Sequence, residues 1–239
     1  MTLDAPVILL AGGLGTRLRS AVPDLPKVLA PAAGRPFLAW LLADLARQGA
    51  RRVVLSLGQG AGQVLDALPA CRPTGLAVES VVEAEPLGTG GALCHAVDSL
   101  ALGGTLFVLN GDTWLEEGLA SLAALPGGPA ALLGLTEVAD TTRYGRVTLD
   151  AGGRIARFSE KGAVGPGPIS AGILRLEAAL LREAPSGPFG LEQDLLAHLA
   201  SSGRLHGALL PGSFVDIGVP ADYKVFCALA ETALIARYP

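Results

Sequence analysis

Apolar residues in this chain alternate between short unbroken runs and longer stretches of helical spacing. Runs at 6–10, 52–57, 76–82 and 105–109 are nearly continuous in apolar character, the pattern of strands buried on both faces of a parallel sheet. Between them, at about 37–49, 59–68 and 89–100, apolar positions recur every three or four residues and predict amphipathic helices. In the first of these, Leu38, Leu41, Leu42 and Leu45 share one side, and Gly49 supplies the stop. Strand and helix in alternation predict βαβ crossovers, with ligands outside the carboxyl ends of the strands. After Asp112 the pattern changes. Segments 130–136, 145–149 and 155–158 read as antiparallel strands, the last two joined by the turn Asp150-Ala151-Gly152-Gly153. Segment 162–168 holds three glycines and two prolines and reads as a mobile loop. Helical patterns near 191–201 and 220–237 close the chain. Together these predict one α/β domain over residues 1–239: a single Rossmann-like mixed, mostly parallel sheet flanked by helices, with a small antiparallel part in the second half.

Composition narrows the function classes. The chain has 239 residues, half of them apolar and 17% charged, which suits a large packed core and argues against disorder. Its apolar segments are broken by glycine, proline or charge before they could span a bilayer, which predicts no membrane partner. The start, Met1-Thr2-Leu3-Asp4, carries an acid where a secretory leader has basic residues, so a cytoplasmic location is expected. A formal net charge of −4 speaks against nucleic acid as a partner. Cys71, Cys94 and Cys227 are odd in number and widely spaced, which predicts reduced thiols rather than disulfides or a zinc site.

The candidate chemistry begins where the first strand ends. Leu10, Ala11, Gly12, Gly13, Gly15 and Thr16 form a glycine-rich loop whose backbone N–H groups can approach phosphate oxygens. Arg17 offers a planar fork and Lys27 a mobile point charge for the same polyphosphate. The glycines are spaced neither as a P-loop nor as G-x-G-x-x-G. A dinucleotide-binding turn or a plain structural turn remains an alternative for the loop alone.

Gly12-Gly13-Leu14-Gly15-Thr16-Arg17-Leu18, followed by Pro26-Lys27, resembles the signature of the sugar-1-phosphate nucleotidyltransferases. Further segments extend the likeness in matching order: Glu85-Pro86-Leu87-Gly88-Thr89-Gly90-Gly91, Asn110-Gly111-Asp112, Tyr144-Gly145, Glu160-Lys161, Ser170-Ala171-Gly172 and Asp216-Ile217-Gly218. Within that family the wording at 22–27, 34–38 and 140–145 is most similar to the D-glycero-α-D-manno-heptose 1-phosphate guanylyltransferases.

The resemblance implies transfer of a nucleoside monophosphate, GMP from GTP being favoured, to a sugar 1-phosphate, with release of pyrophosphate. The sugar would be D-glycero-α-D-manno-heptose 1-phosphate; mannose 1-phosphate or another hexose 1-phosphate is the alternative. It implies magnesium (Mg2+) on Asp112 and Asp216, and catalytic roles for Arg17, Lys27 and Lys161. Glu83, Gly88 and Thr89 would face the base, and a carboxylate at 83 suits the adjacent donors of guanine. Gly145, Glu160, Lys161 and Ser170 would hold the sugar in the antiparallel part. Ser170 departs from the asparagine usual there, which leaves its contact open. Partners would be the triphosphate and the sugar phosphate, and a homo-oligomer is compatible with both. A non-catalytic nucleotide-sugar sensor could keep the loop while losing Lys27, Asp112 or Asp216; all three are present.

Overall fold

The computed structural model describes all residues except 1, 14–16, 19, 126–127, 160, 161, 163 and 239. The roles expected of Gly15, Thr16, Glu160 and Lys161 therefore lie outside the described residues. The chain runs through β1 (Val7–Leu10), a small hairpin of β2 (Pro31–Ala32) and β3 (Arg35–Pro36), and α1 (Phe37–Arg47). Next come β4 (Arg52–Leu57), α2 (Ala61–Cys71), β5 (Ala77–Val82), α3 (Gly88–Ser99) and β6 (Thr105–Asn110). The second half holds β7 (Thr113–Leu115), α4 (Gly118–Ala124), β8 (Ala131–Val138), β9 (Val147–Leu149), β10 (Ile155–Phe158) and β11 (Gly167–Glu177). A π-helical turn, Leu191–Leu196, leads into α5 (Ala197–Ser201), β12 (Leu205–Leu209), β13 (Phe214–Asp216) and α6 (Pro220–Leu229).

Seven strands form one sheet in the order β12-β8-β11-β6-β1-β4-β5. Six run in one direction and β11 opposes its neighbours β6 and β8. The continuous apolar runs are explained by helices on both faces. In β1, Val7 and Leu9 enter the core under α1 and α2, while Ile8 enters the opposite core under α3 and residues 191–199. Helix α1 buries Leu38, Leu41, Leu42 and Leu45 as their spacing predicts. It ends with Gly49 at φ +100°, the Gly49 N–H on Ala46 O and the Ala50 N–H on Leu45 O, a Schellman arrangement. All three cysteines are free thiols, and burial pushes Cys71 and Cys94 up. Among the described residues no helix is long and apolar enough to cross a membrane.

The second half differs from its sequence pattern in three ways. Residues 131–138 do not join 145–149 and 155–158; β8 lies inside the main sheet, and only β9 and β10 make a separate antiparallel pair. Strands β11 and β12 have no counterpart among the predicted elements. β11 hides because its register shifts between Ser170 and Leu174, with Gly172 at φ +68°, so the inside-outside alternation changes phase midway. Finally, the segment read as a mobile loop is tied down where it is described. Arg146 Nη2 donates to Val164 O and Gly165 O at 3.1 and 3.2 Å, and Gly167-Pro168 already belong to β11.

Candidate active site

The carboxyl ends of β1, β4, β5 and β6 lie along one edge, and the predicted motifs converge there. Ala11 donates its N–H to Ser56 O at 2.8 Å, which carries the loop away from β1 toward β4. Leu10, Ala11, Gly12 and Gly13 line a cavity of about 350 Å³, with Lys27, Gly88, Thr89 and Asp112 also on its wall. A second cavity of about 540 Å³ is lined by Arg17, Tyr144, Gly145, Ser170 and Asp216. Asn110 and Asp112 belong to both. Lys27 thus lines the first cavity and Arg17 the second, with Asp112 on the wall of both.

The two aspartates are distant in sequence and meet through a short ribbon. β13 pairs antiparallel with β7, Asp216 opposite Thr113, and Ile217 donates its N–H to Asp112 O at 2.9 Å. The ribbon is backed by an aromatic cluster: Trp114 of β7 packs on Phe226 at 5.5 Å and on Tyr238 at 6.3 Å. Asp112 Oδ2 accepts Lys27 Nζ at 2.7 Å in a partly buried ion pair. Burial holds the Asp216 carboxyl above the usual carboxylate range, and repulsion from Asp112 adds to it. The Gly218 N–H, which donates to Asp216 Oδ1 at 2.8 Å, and the charges of Lys27 and Arg17 act the other way.

Two hard oxygen donors whose charges repel suit a divalent cation, which relieves that repulsion. Among the described residues no cluster of three or more His, Cys, Asp or Glu could hold a metal. The pair therefore fits an ion that completes its shell with phosphate oxygens and water, as magnesium does.

Glu83 lies where the chain leaves β5 for α3. Its N–H bonds to Leu57 O, its Oε2 accepts the Leu87 N–H at 3.1 Å, and its Oε1 lies beside Gly12 and Gly58. Its carboxylate thus lies next to the glycine loop, just behind the residues that line the first cavity. Gln59, two residues past the end of β4, lines that cavity. Gln59 was missed because the apolar spacing put it inside the helix predicted over 59–68, whereas α2 begins only at Ala61. Glu192 and Gln193 line the second cavity with no signal in the sequence, since tertiary packing alone brings the 191–196 turn to it.

The glycines opening α3 serve packing as well as ligand access. Gly88 has φ +70°, and a Cβ on it would lie 2.4 Å from Phe189 O; one on Gly90 would strike the Phe189 ring at 2.1 Å. Gly90 donates its N–H to Phe189 O at 3.0 Å, and Thr89 Oγ1 accepts the Leu191 N–H at 2.9 Å. Gly88→Ala is therefore expected to lower stability by about 1–3 kcal/mol, because strain and a backbone clash combine. Urea denaturation of the variant checks this; an unchanged midpoint would contradict the packing account.

Residues 6–223 match the nucleotidyl transferase family. The chain is 34% identical over 226 residues to the D-glycero-alpha-D-manno-heptose 1-phosphate guanylyltransferase of Aneurinibacillus thermoaerophilus, covering 91% of this chain and 94% of that one. It is 33% identical to mannose-1-phosphate guanylyltransferase 1 of Arabidopsis thaliana, covering 97% of this chain but 66% of the relative. Among solved structures, HddC from Yersinia pseudotuberculosis complexed with GMP-PN superposes with a TM-score of 0.84 at 33% identity, covering 94% of this chain and 98% of the other. A loop of glycines at a parallel-strand edge, a lysine against one of two paired aspartates, and a match across most of its length place this chain in the nucleotidyl transferase family.

Proposed function

We propose that this protein transfers GMP from GTP to a sugar 1-phosphate, D-glycero-α-D-manno-heptose 1-phosphate first among them, and releases pyrophosphate. The observation that carries the reading is the pair of cavities meeting at Asp112, one walled by the glycine loop and Lys27, the other by Arg17, Tyr144 and Asp216. Two substrates placed in them would bring their reacting phosphates to that junction. The relative with the heptose guanylyltransferase name is matched along nearly its whole length, whereas the chain spans about two thirds of the mannose one. That difference favours the heptose.

In the proposed reaction an oxygen of the sugar phosphate attacks the α-phosphorus in line, and the bond to pyrophosphate breaks. A phosphate dianion is already nucleophilic, so the protein supplies orientation and charge rather than a base. Lys27, on the wall of the first cavity, stabilises charge on the α-phosphate, and Arg17, on the wall of the second, neutralises phosphate oxygens there. Lys161 would take the sugar phosphate and Glu160 its hydroxyls; both lie outside the described residues. Gly145 and Ser170 stand on the sugar side, and Gly88 and Thr89 on the nucleotide side. Asp112 and Asp216 would hold magnesium, which supplies charge neutralisation of the triphosphate when bound. For the base, Glu83 beside Gly12 offers a carboxylate that suits the adjacent donors of guanine, and Gln59 offers an amide at the wall.

Pyrophosphate release with GTP is expected to exceed that with UTP, dTTP, CTP or ATP by at least tenfold in kcat/KM. A preference for UTP or dTTP would sink the guanylyl assignment. Silence with every pair, with nucleotide binding intact, would point to a sensor instead.

A further inference from the structure

Beside the second cavity lies a smaller chamber of about 200 Å³ to which no role has yet been assigned. It opens onto that cavity through Asn110, Ser170, Gly172, Glu192 and Gln193, which line both. Its interior is apolar, with buried Val108, Leu133 and Leu174, so the chamber joins an apolar floor to a polar mouth. That combination suits a short carbon chain bearing hydroxyls better than a charged group.

We propose that this chamber is the subsite for the exocyclic carbons of the sugar, and that Ser170 with Glu192 and Gln193 selects a –CHOH–CH2OH substituent over –CH2OH. The inference rests on the sugar-1-phosphate reading and deepens it.

Three features of the fold make the subsite. The side chain at 170 is short, and the β11 bulge at Gly172 leaves the passage open. Ser170 Oγ accepts a long 3.3 Å bond from the Gly172 N–H, and its O–H can rotate to donate to a ligand hydroxyl. The 191–196 turn is π-wound, a geometry often found at functional sites, and is anchored at its start. Leu191 donates its N–H to Thr89 Oγ1 at 2.9 Å, and Gly190 donates to Asp194 Oδ2 at 2.7 Å. With Leu191, Leu195 and Leu196 buried, Glu192 and Gln193 stay exposed at the chamber mouth. There a carboxylate can accept, and an amide can both donate to and accept from, neighbouring hydroxyls. An additional –CHOH– unit displaces about the volume of one water, roughly 30 Å³. The chamber holds it easily, whereas a hexose would leave the space to solvent.

The test compares kcat/KM, with GTP, for D-glycero-α-D-manno-heptose 1-phosphate and mannose 1-phosphate. The unmodified protein is expected to favour the heptose at least tenfold. Ser170→Leu, which blocks the passage, is expected to reduce that ratio below threefold, and Glu192→Gln to lower it at least threefold. If Ser170→Leu does not fold, the exposed Glu192→Gln decides alone. A protein that turns over both sugars without preference, or a ratio that survives these substitutions, overturns the subsite while leaving the guanylyltransferase reading intact. No pyrophosphate release with any sugar phosphate overturns that reading, and the subsite with it.

Discussion

Asp216→Asn is expected to lower turnover roughly a thousandfold or more while leaving the melting temperature unchanged or raising it. The carboxylate is partly buried beside Asp112, and both effects hold its carboxyl above the usual range. Folding therefore favours the protonated form of Asp216. The destabilisation is complete well above the raised pKa and is relieved as pH falls through it toward the ordinary value. An asparagine carries no charge at any pH, keeps an acceptor for the Gly218 N–H, and removes that pH dependence. This window belongs to the metal-free protein, because a cation bound between the two aspartates would lower the pKa again. Asp112→Asn should be as damaging to turnover but should cost about 0.5–1.5 kcal/mol of stability, since it weakens a partly buried ion pair with Lys27. Thermal melts and pyrophosphate-release rates for both variants, across pH 4 to 8, separate the two cases. An active Asp216→Asn protein with unaltered magnesium dependence would end the two-aspartate account.

Lys27→Ala is expected to reduce kcat about 100- to 1,000-fold with a smaller change in KM for GTP, because its charge is proposed to act on the α-phosphate as the bond to pyrophosphate breaks. Lys27→Arg should not restore the rate. The ammonium sits 2.7 Å from Asp112 Oδ2 with its side chain only 16% exposed, and a planar guanidinium neither fits that space nor presents charge at the same point. Both variants should remain folded, since the glycine loop is held independently by the Ala11 N–H on Ser56 O. A rise in KM with kcat unaltered would show that Lys27 contributes only ground-state binding.

The positions of these residues were unequally legible. The glycine loop and Asp112 could be placed because each follows a strand announced by a continuous apolar run, and Lys27 through the Pro26-Lys27 step of the resemblance. Asp216 could be paired with Asp112 only through resemblance, since the β7–β13 ribbon consists of three-residue strands too short to carry a periodic signal. Glu83 was located correctly at a strand end, yet the direction of its carboxylate depends on the Leu87 N–H, a neighbour defined by the turn into α3.

Local pattern by itself determined the parallel half of the sheet, its helices and the edge on which ligands must sit. Burial on both faces demands unbroken apolar runs, and one-sided burial demands helical spacing. Tertiary structure alone decided the rest. It inserted β11 against the direction of its neighbours and placed β8 in the main sheet. It put Lys27 on the wall of one cavity and Arg17 on the wall of the other, and carried Glu192 and Gln193 to the second. Those outcomes depend on contacts between residues far apart in the chain, and a bulge such as that at Gly172 erases the alternation from which such contacts could be read.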